Sequence, residues 1–444
     1  MTVTETAPAT VTVSLPRLLT AWHETGRADL DTHLSVHGPA SFPRRADAHF
    51  AQGLLEVVRR SGLTGRGGAG FPSARKWDSV GRLRNPLLVV NAMEGEPASE
   101  KDQVLLLSAP HLVLDGAQFA ALAVGAREIF VCVADDRPDG ARAVQQAVDE
   151  RLARGLGRAR VRVLRPPGRY VSGEESALVS WIAGGSAKPT FRHEKGVPLT
   201  VGHRPTLVHN AETLAHVALI ARHGSEWFRS MGTADAPGTS LVSTSGAVSR
   251  PGVYEVELGT PVGSILERAG LIAGVSGVLV GGYGGTWLPP DRIDTPYAPG
   301  PLAAAGSAMG AGVLGVVPAS ACGVAETARI VAYMAGEGAK QCGPCVFGLP
   351  SIAGDLVRLA RANCDRTVLA RLRERLDLVS GRGACRHPDG VVRLVRSALG
   401  VFAADFAEHA RRRPCQGWNR RSVLGVPRPA DDALRGPTAR RGPR

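Results

Sequence analysis

Gly62-Leu63-Thr64-Gly65-Arg66-Gly67-Gly68-Ala69-Gly70-Phe71-Pro72 is the stretch on which the reading of this chain turns. It fits the pattern G-x-G-x-x-G, with four glycines among residues 65–70. Glycine admits φ > 0 and lets bare backbone N–H groups approach a ligand. Arg66 adds a fixed positive charge suited to phosphate, and Phe71 a face for a flat ring. Lys76, a little further on, completes a candidate anion site. An ordinary dinucleotide fold needs a strand immediately before such a loop. Leu54-Leu55-Glu56-Val57-Val58-Arg59-Arg60 has helical spacing instead, so the Rossmann reading fails its context.

Outward from the loop, strand-like runs at 87–90, 128–133, 161–164 and 206–208 alternate with helical patterns at 110–125, 141–156, 174–183 and 211–222. Alternation of this kind predicts an α/β domain with a mostly parallel sheet. Past Gly238 the pattern changes. Two short strands (239–248 and 252–258) flank an Arg250-Pro251-Gly252 turn, and a short helix (262–269) and an apolar run (277–282) follow. This predicts a small α+β insert of about fifty residues. From Val324 to His409 the pattern is helical. The expected order is a lead-in with one short helix (1–45), the α/β domain (46–235), the insert with its linker (236–323), a helical domain (324–410) and a basic tail (411–444).

The 444 residues are 44% hydrophobic and 21% charged, enough apolar material for a packed core and too much for a disordered or fibrous chain. The formal charge is +13, and the last 34 residues carry ten Arg against two Asp. A solvated, disordered end is the expectation there, since no basic-aromatic stretch in the body suggests base stacking and no specific nucleic acid is expected. Seven Cys are too few for a disulfide framework and fit a reducing, cytoplasmic setting. The N-terminus lacks the charged and apolar blocks of a signal peptide. Residues 295–325 carry no charge, yet they hold six Gly and four Pro, so they read as loop and buried strand.

The loop does not stand alone. Lys76-Trp77 and Asn91-Ala92-Met93-Glu94-Gly95-Glu96-Pro97 follow it, then Tyr170-Val171-Ser172-Gly173-Glu174-Glu175-Ser176-Ala177, Lys188-Pro189-Thr190-Phe191 and Pro205-Thr206-Leu207-Val208-His209-Asn210-Ala211-Glu212-Thr213-Leu214. In this order they strongly resemble the flavoprotein subunit of complex I-type NADH dehydrogenases. Ser245-Gly246-Ala247-Val248 with Arg250-Pro251-Gly252-Val253-Tyr254-Glu255 resembles that family's ligand-binding β-grasp insert. The resemblance covers about residues 50–400. It implies an α/β flavin-binding domain, a β-grasp insert and a C-terminal helical iron–sulfur-binding domain.

By this resemblance the chain is an FMN-dependent oxidoreductase. Hydride from NADH passes to the flavin, and electrons leave singly through a cluster. The flavin carries the chemistry, so no catalytic acid or base is expected. Gly65, Arg66, Gly67 and Lys76 would hold the FMN phosphate and ribityl region. Asn91 and Glu94 would reach the flavin ring or ribityl chain, and Gly173, Glu174, Asn210 and Thr213 would close the site. Phe71 and Phe191 would sandwich the NADH adenine. Glu96 and Glu175 would accept hydrogen bonds from its sugars, with Lys188 nearby; carboxylates there would repel the 2′-phosphate of NADPH. The chain departs from the family pattern in three places: Met93 replaces an Asp, the pair Asp78-Ser79 stands where an aromatic is usual, and His209 replaces an Asn.

The family's cluster motif, Cys-x-x-Cys-x-x-Cys with a distant fourth Cys, here reads Ala339, Cys342, Cys345 and Cys385. The first ligand is missing. Three readings stand: a [4Fe–4S] cluster with His387, Cys364 or solvent as the fourth ligand, a [3Fe–4S] cluster, or a lost cluster. Zinc on the same thiols is a minor option. Cys132 reads as a core residue, and Cys322 and Cys415 as uncommitted. The resemblance further implies a ferredoxin-like or other iron–sulfur partner, with the complex peripheral to the inner face of the cell membrane. Reverse flow from ferredoxin to NAD and a non-catalytic relative that has lost FMN are the alternatives.

Overall fold

The computed structural model describes residues 17–43, 47–191, 197–272, 274–427, 430 and 434. The first sheet runs β3-β2-β1-β5-β4, built from β1 (Leu87–Ala92), β2 (Glu128–Val133), β3 (Arg160–Leu164), β4 (Leu199–Val201) and β5 (Arg204–Asn210). All neighbours are parallel except the hairpin of β4 and β5. The run Leu87-Leu88-Val89-Val90 is apolar without alternation because helices cover both faces. Leu88 and Val90 join one core, Leu87 and Val89 another.

Chain order in this sheet proceeds outward from β1 through β2 to β3, then returns to the other side of β1 with β5. The reversal between β1 and β5 opens a crevice beyond their C-terminal ends, where ligands of open α/β sheets bind. The helix Ala48–Ser61, capped by Asp47 and ended by Gly62 at φ 72°, delivers the glycine loop there. Behind the sheet the helices Pro110–Val124 and Ala211–Arg229 cross closely. A Cβ at Gly116 would lie 1.7 Å from the carbonyl oxygen of Leu214, so only glycine fits.

The second sheet, β7-β6-β10-β8-β9, comprises β6 (Thr239–Gly246), β7 (Gly252–Glu257), β8 (Val275–Val280), β9 (Thr286–Leu288) and β10 (Val313–Pro318). Only β6 and β10 pair in parallel. The unit extends to β10, well beyond the fifty residues expected, because the uncharged stretch supplies a central buried strand. The helices from Gly323–Glu337 to Ala403–Ala410 form the third unit around its own core.

Two expectations need correction. The lead-in holds a second helix, Leu30–His37, capped by Asp29. The expected disordered tail is packed in its described part: Leu424 and Val426 are buried in the helical core, and Trp418 packs against it. Burial of these apolar residues holds the segment down, while Arg420 and Arg421 between them are exposed.

Candidate functional site

Asn91 lies near the end of β1 and Asn210 ends β5, in register with each other. Asn210 caps the helix Ala211–Arg229 by accepting the Glu212 N–H, and its amide donates to the Asn91 carbonyl at 3.2 Å and to Asp102 at 2.7 Å. The Asn91 amide donates to the Gly173 carbonyl at 2.9 Å. Thr213 accepts the backbone N–H of Arg66 at 2.9 Å, which ties the glycine loop over the strand ends. Gly67 lies against Asn210; a Cβ there would stand 3.2 Å from that of Asn210. Gly65, Gly67, Asn91, Gly173, Asn210 and Thr213 are therefore one constellation.

The charged residues are placed less simply. The Arg66 guanidinium is buried and directed to the Thr64 hydroxyl at 2.9 Å and the Pro237 carbonyl at 3.4 Å. Lys76 is ion-paired with Glu175 and donates to the Val208 carbonyl at 3.2 Å, so one expected flavin contact is tied to one expected NADH contact. Glu94, at φ 44°, accepts the backbone N–H groups of Asp102 and Gln103, and Glu174 caps the helix Glu175–Ile182. Glu96 accepts the N–H of Tyr283 at 2.8 Å and of Ala98 at 3.2 Å. Burial pushes both Glu94 and Glu96 up to about 7, with Asp102 adding to the rise at Glu94. Phe71 and Phe191 are exposed, and so is Lys188, nearby in the chain.

Reading the sequence alone does not find a buried cluster beneath this site. Lys101 reaches Asp102 at 2.7 Å, Glu212 at 3.0 Å and Asn210 at 3.3 Å. Against burial, Asp102 and Glu212 hold its ammonium above the ordinary value. Glu212 also accepts the Ser240 hydroxyl and the Leu241 N–H, joining the first sheet's helix to the second sheet. The available signal is the Glu within Asn210-Ala211-Glu212-Thr213, an acidic residue on an otherwise apolar helix start.

The departures have physical settings. Met93 is buried in the core beside Gly173. Asp78 pairs with Arg59 at 2.9 Å. His209 accepts the Trp77 indole N–H at 2.9 Å, and burial with Lys76 nearby keeps it neutral.

Cys342 and Cys345 flank Pro344 at the start of the turn Pro344–Gly348, and Cys385 lies just before the helix His387–Val401, half-buried like Cys342. The His387 backbone N–H donates to Cys385. The His387 ring hydrogen-bonds the Met334 carbonyl through Nε2 at 2.8 Å, and its buried Nδ1 has no hydrogen-bond partner. Ala339 is buried in the same region. Cys364 is elsewhere, its thiol on the carbonyls of His409 and Ala410, so it drops out as a fourth ligand. Three thiols and a ring nitrogen without a hydrogen-bond partner supply the donor types of an iron–sulfur cluster, although the three sulfurs do not all close to within 4.8 Å of one another in this structure.

Two family descriptions match: the Nuo51 FMN-binding domain over residues 58–219 and the NADH-ubiquinone oxidoreductase-F iron-sulfur binding region over 325–409. An NADH-quinone oxidoreductase subunit of Rhizobium meliloti (strain 1021) is 32% identical over 401 residues, 87% of this chain and 95% of that protein. This chain belongs to the complex I flavoprotein family. The corresponding NADH-quinone oxidoreductase protein of Streptomyces coelicolor is 31% identical, over 90% of this chain and 92% of its own. The solved NAD+-reducing [NiFe]-hydrogenase in its H2-reduced state is similar at a TM-score of 0.77 and 29% identity, over 90% of this chain and 67% of that one. The chain thus carries an FMN-binding domain and a 4Fe–4S-binding region and is an NADH dehydrogenase-like oxidoreductase.

Proposed function

We propose that this chain takes hydride from NADH onto FMN and hands electrons singly, through an iron–sulfur cluster, to an iron–sulfur partner protein. One observation carries the reading: the glycine loop is bound by Thr213 over the crevice between β1 and β5, with Asn91, Gly173 and Asn210 converging on the same point. When bound, FMN supplies two-electron acceptance with one-electron release, and the cluster supplies the one-electron outlet.

The chain's own residues do the placing. Gly65, Gly67 and the amides of Asn91 and Asn210 hold the flavin, and the backbone of the loop, more than the inward-turned Arg66 side chain, meets its phosphate. Lys76 releases Glu175 as the sites fill, leaving Lys76 for the flavin side and Glu175 for a ribose hydroxyl. Phe71 and Phe191 stack the adenine, with Lys188 beside them. Cys342, Cys345 and Cys385 would ligate the cluster, and the unpartnered His387 Nδ1 would be the donor standing in for the thiol that Ala339 lacks.

Among the described residues no single helix is long and apolar enough to cross a membrane. A cytoplasmic chain docked on a partner, peripheral to the inner face of the membrane, is the setting this reading favours. The test is an anaerobic visible spectrum before and after NADH, with flavin and iron quantified on the same sample. Flavin bands that bleach on NADH addition are expected. A reconstituted chain that binds flavin but stays oxidised in excess NADH would refute the hydride step.

A further inference from the structure

Cys322 lies 87 residues before His409, with Cys415 six residues beyond it, all outside the flavin and cluster sites, yet their ligand atoms all fall within 4.8 Å of one another. Cys322 precedes the helix Gly323–Glu337, and its sulfur accepts the Ala325 N–H at 3.3 Å. His409 is fully buried in the last turn of the helix Ala403–Ala410. Its Nδ1 hydrogen-bonds the Leu359 carbonyl at 3.0 Å, which turns the Nε2 lone pair toward the sulfurs. A backbone carbonyl on the far nitrogen is the arrangement that orients metal-bound histidines. Cys415 sits in the segment beyond that helix, its N–H 3.3 Å from the same Nε2.

We propose that these three residues form a structural site for a thiophilic divalent cation, Zn2+, that fastens the C-terminal segment to the helical domain. The Cys322 sulfur stands 3.5 Å from the His409 Nε2. Two ligands at ordinary Zn–S and Zn–N lengths in a tetrahedron are about 3.6 Å apart, so the pair already has the required spacing. Binding displaces the thiol protons of Cys322 and Cys415 to solvent as each becomes a thiolate ligand. Two thiolates neutralise the ion, which suits a mostly buried place. The weak Cys415 N–H contact to Nε2 gives way to the metal. A fourth position remains, with Asp405 near enough that its charge acts on Cys322 and His409.

The backbone around the site is built for close approach. A Cβ at Gly417 would lie 2.7 Å from the Ser320 carbonyl oxygen, so the segment after Cys415 runs tightly against the residues before Cys322. Beyond it Leu424 and Val426 are buried, and the Arg420 carbonyl accepts from Arg329. A metal here adds a fixed point at the start of a segment that Leu424, Val426 and the Arg329–Arg420 contact hold further along.

The probe is Co2+ alone, titrated anaerobically into the full-length chain after metal removal and thiol reduction. Thiolate-to-cobalt charge-transfer absorption of tetrahedral intensity is expected, retained in the triple variant Cys342→Ser/Cys345→Ser/Cys385→Ser and lost in Cys415→Ser and in Cys322→Ser. Zinc at about one per chain, present in the triple variant and absent from Cys415→Ser, is the matching result for protein as purified. Absorption that survives in Cys415→Ser, or that vanishes in the triple variant while its far-ultraviolet spectrum stays native, overturns the proposal. A Cys322–Cys415 disulfide in chain prepared anaerobically overturns it equally.

Discussion

Asn91 and Asn210 stand opposite each other toward the C-terminal ends of two parallel strands, and the amide of one donates to the carbonyl of the other at 3.2 Å. The glycine loop closes over this pair. Gly67 is the contact, and a Cβ there would already press on Asn210. Gly67→Val therefore puts two further methyl groups where backbone and flavin must meet. The expected result is folded protein with little flavin, read as the flavin-to-chain ratio after reconstitution. A full complement of FMN in that variant would remove the loop from the flavin site.

Lys76 and Glu175 neutralise each other in this structure. Removing the Glu175 charge leaves Lys76 free for phosphate and deprives NADH of a ribose acceptor. Glu175→Gln should keep FMN and raise KM for NADH about tenfold, the equivalent of one lost hydrogen bond to a charged group at ~1.4 kcal/mol. Steady-state kinetics with an artificial acceptor decide it; an unchanged KM would move the ribose elsewhere.

The cluster assignment separates into two substitutions. Cys342→Ala should abolish bound iron while sparing flavin, since the thiol lies in the iron–sulfur binding region and not at the strand ends of the first sheet. His387→Ala removes the only imidazole found beside those thiols among the described residues. The cluster's electron paramagnetic resonance spectrum should shift toward a three-iron form, with flavin content constant. An identical spectrum would assign the fourth position to solvent.

Much of this is legible in the sequence because the motifs sit where the chain must turn. Gly62–Pro72 and Asn210 lie at helix ends, where glycine and capping side chains have local reasons that sequence exposes. The parallel sheet is legible from uninterrupted apolar runs. What stays hidden depends on long-range partners. Nothing local says that Arg66 turns inward to Pro237, or that Lys101 meets Glu212. The packed tail is easily misread because its arginines dominate composition while a few scattered apolar residues, Trp418, Leu424, Val426 and Leu434 among them, do the anchoring. Cys322, His409 and Cys415 have no motif spacing at all, and only the fold brings them together.

A second buried network sets stability away from the site. Asp115 is buried and holds His33 at 2.8 Å as well as Arg151 and Arg222. Against its own burial, the His33 hydrogen bond and the two guanidinium groups keep its pKa well below the ordinary range. Asp115→Asn would strand two buried cations and should cost about 3–5 kcal/mol. A large fall in thermal midpoint with unchanged NADH affinity is expected; a midpoint within a few degrees of the parent would show that the arginines find other partners.

Glu96 gives the pH dependence its sign. Burial raises its pKa from 4.5 to about 7, so the folded state favours the protonated acid. The contribution is fully present below 4.5 and is lost as pH rises through 7, on the order of 3 kcal/mol across that window. Asp115 works in the opposite direction only at pH below the ordinary Asp value, so it does not mask the effect near neutrality. Glu96→Gln carries no charge to desolvate and keeps an acceptor for the Tyr283 N–H. The variant's thermal midpoint should therefore fall less than the parent's between pH 5 and 8, the two curves diverging above pH 6. Parallel curves would mean that Glu96 is ionised in the folded chain throughout, held there by its two backbone donors.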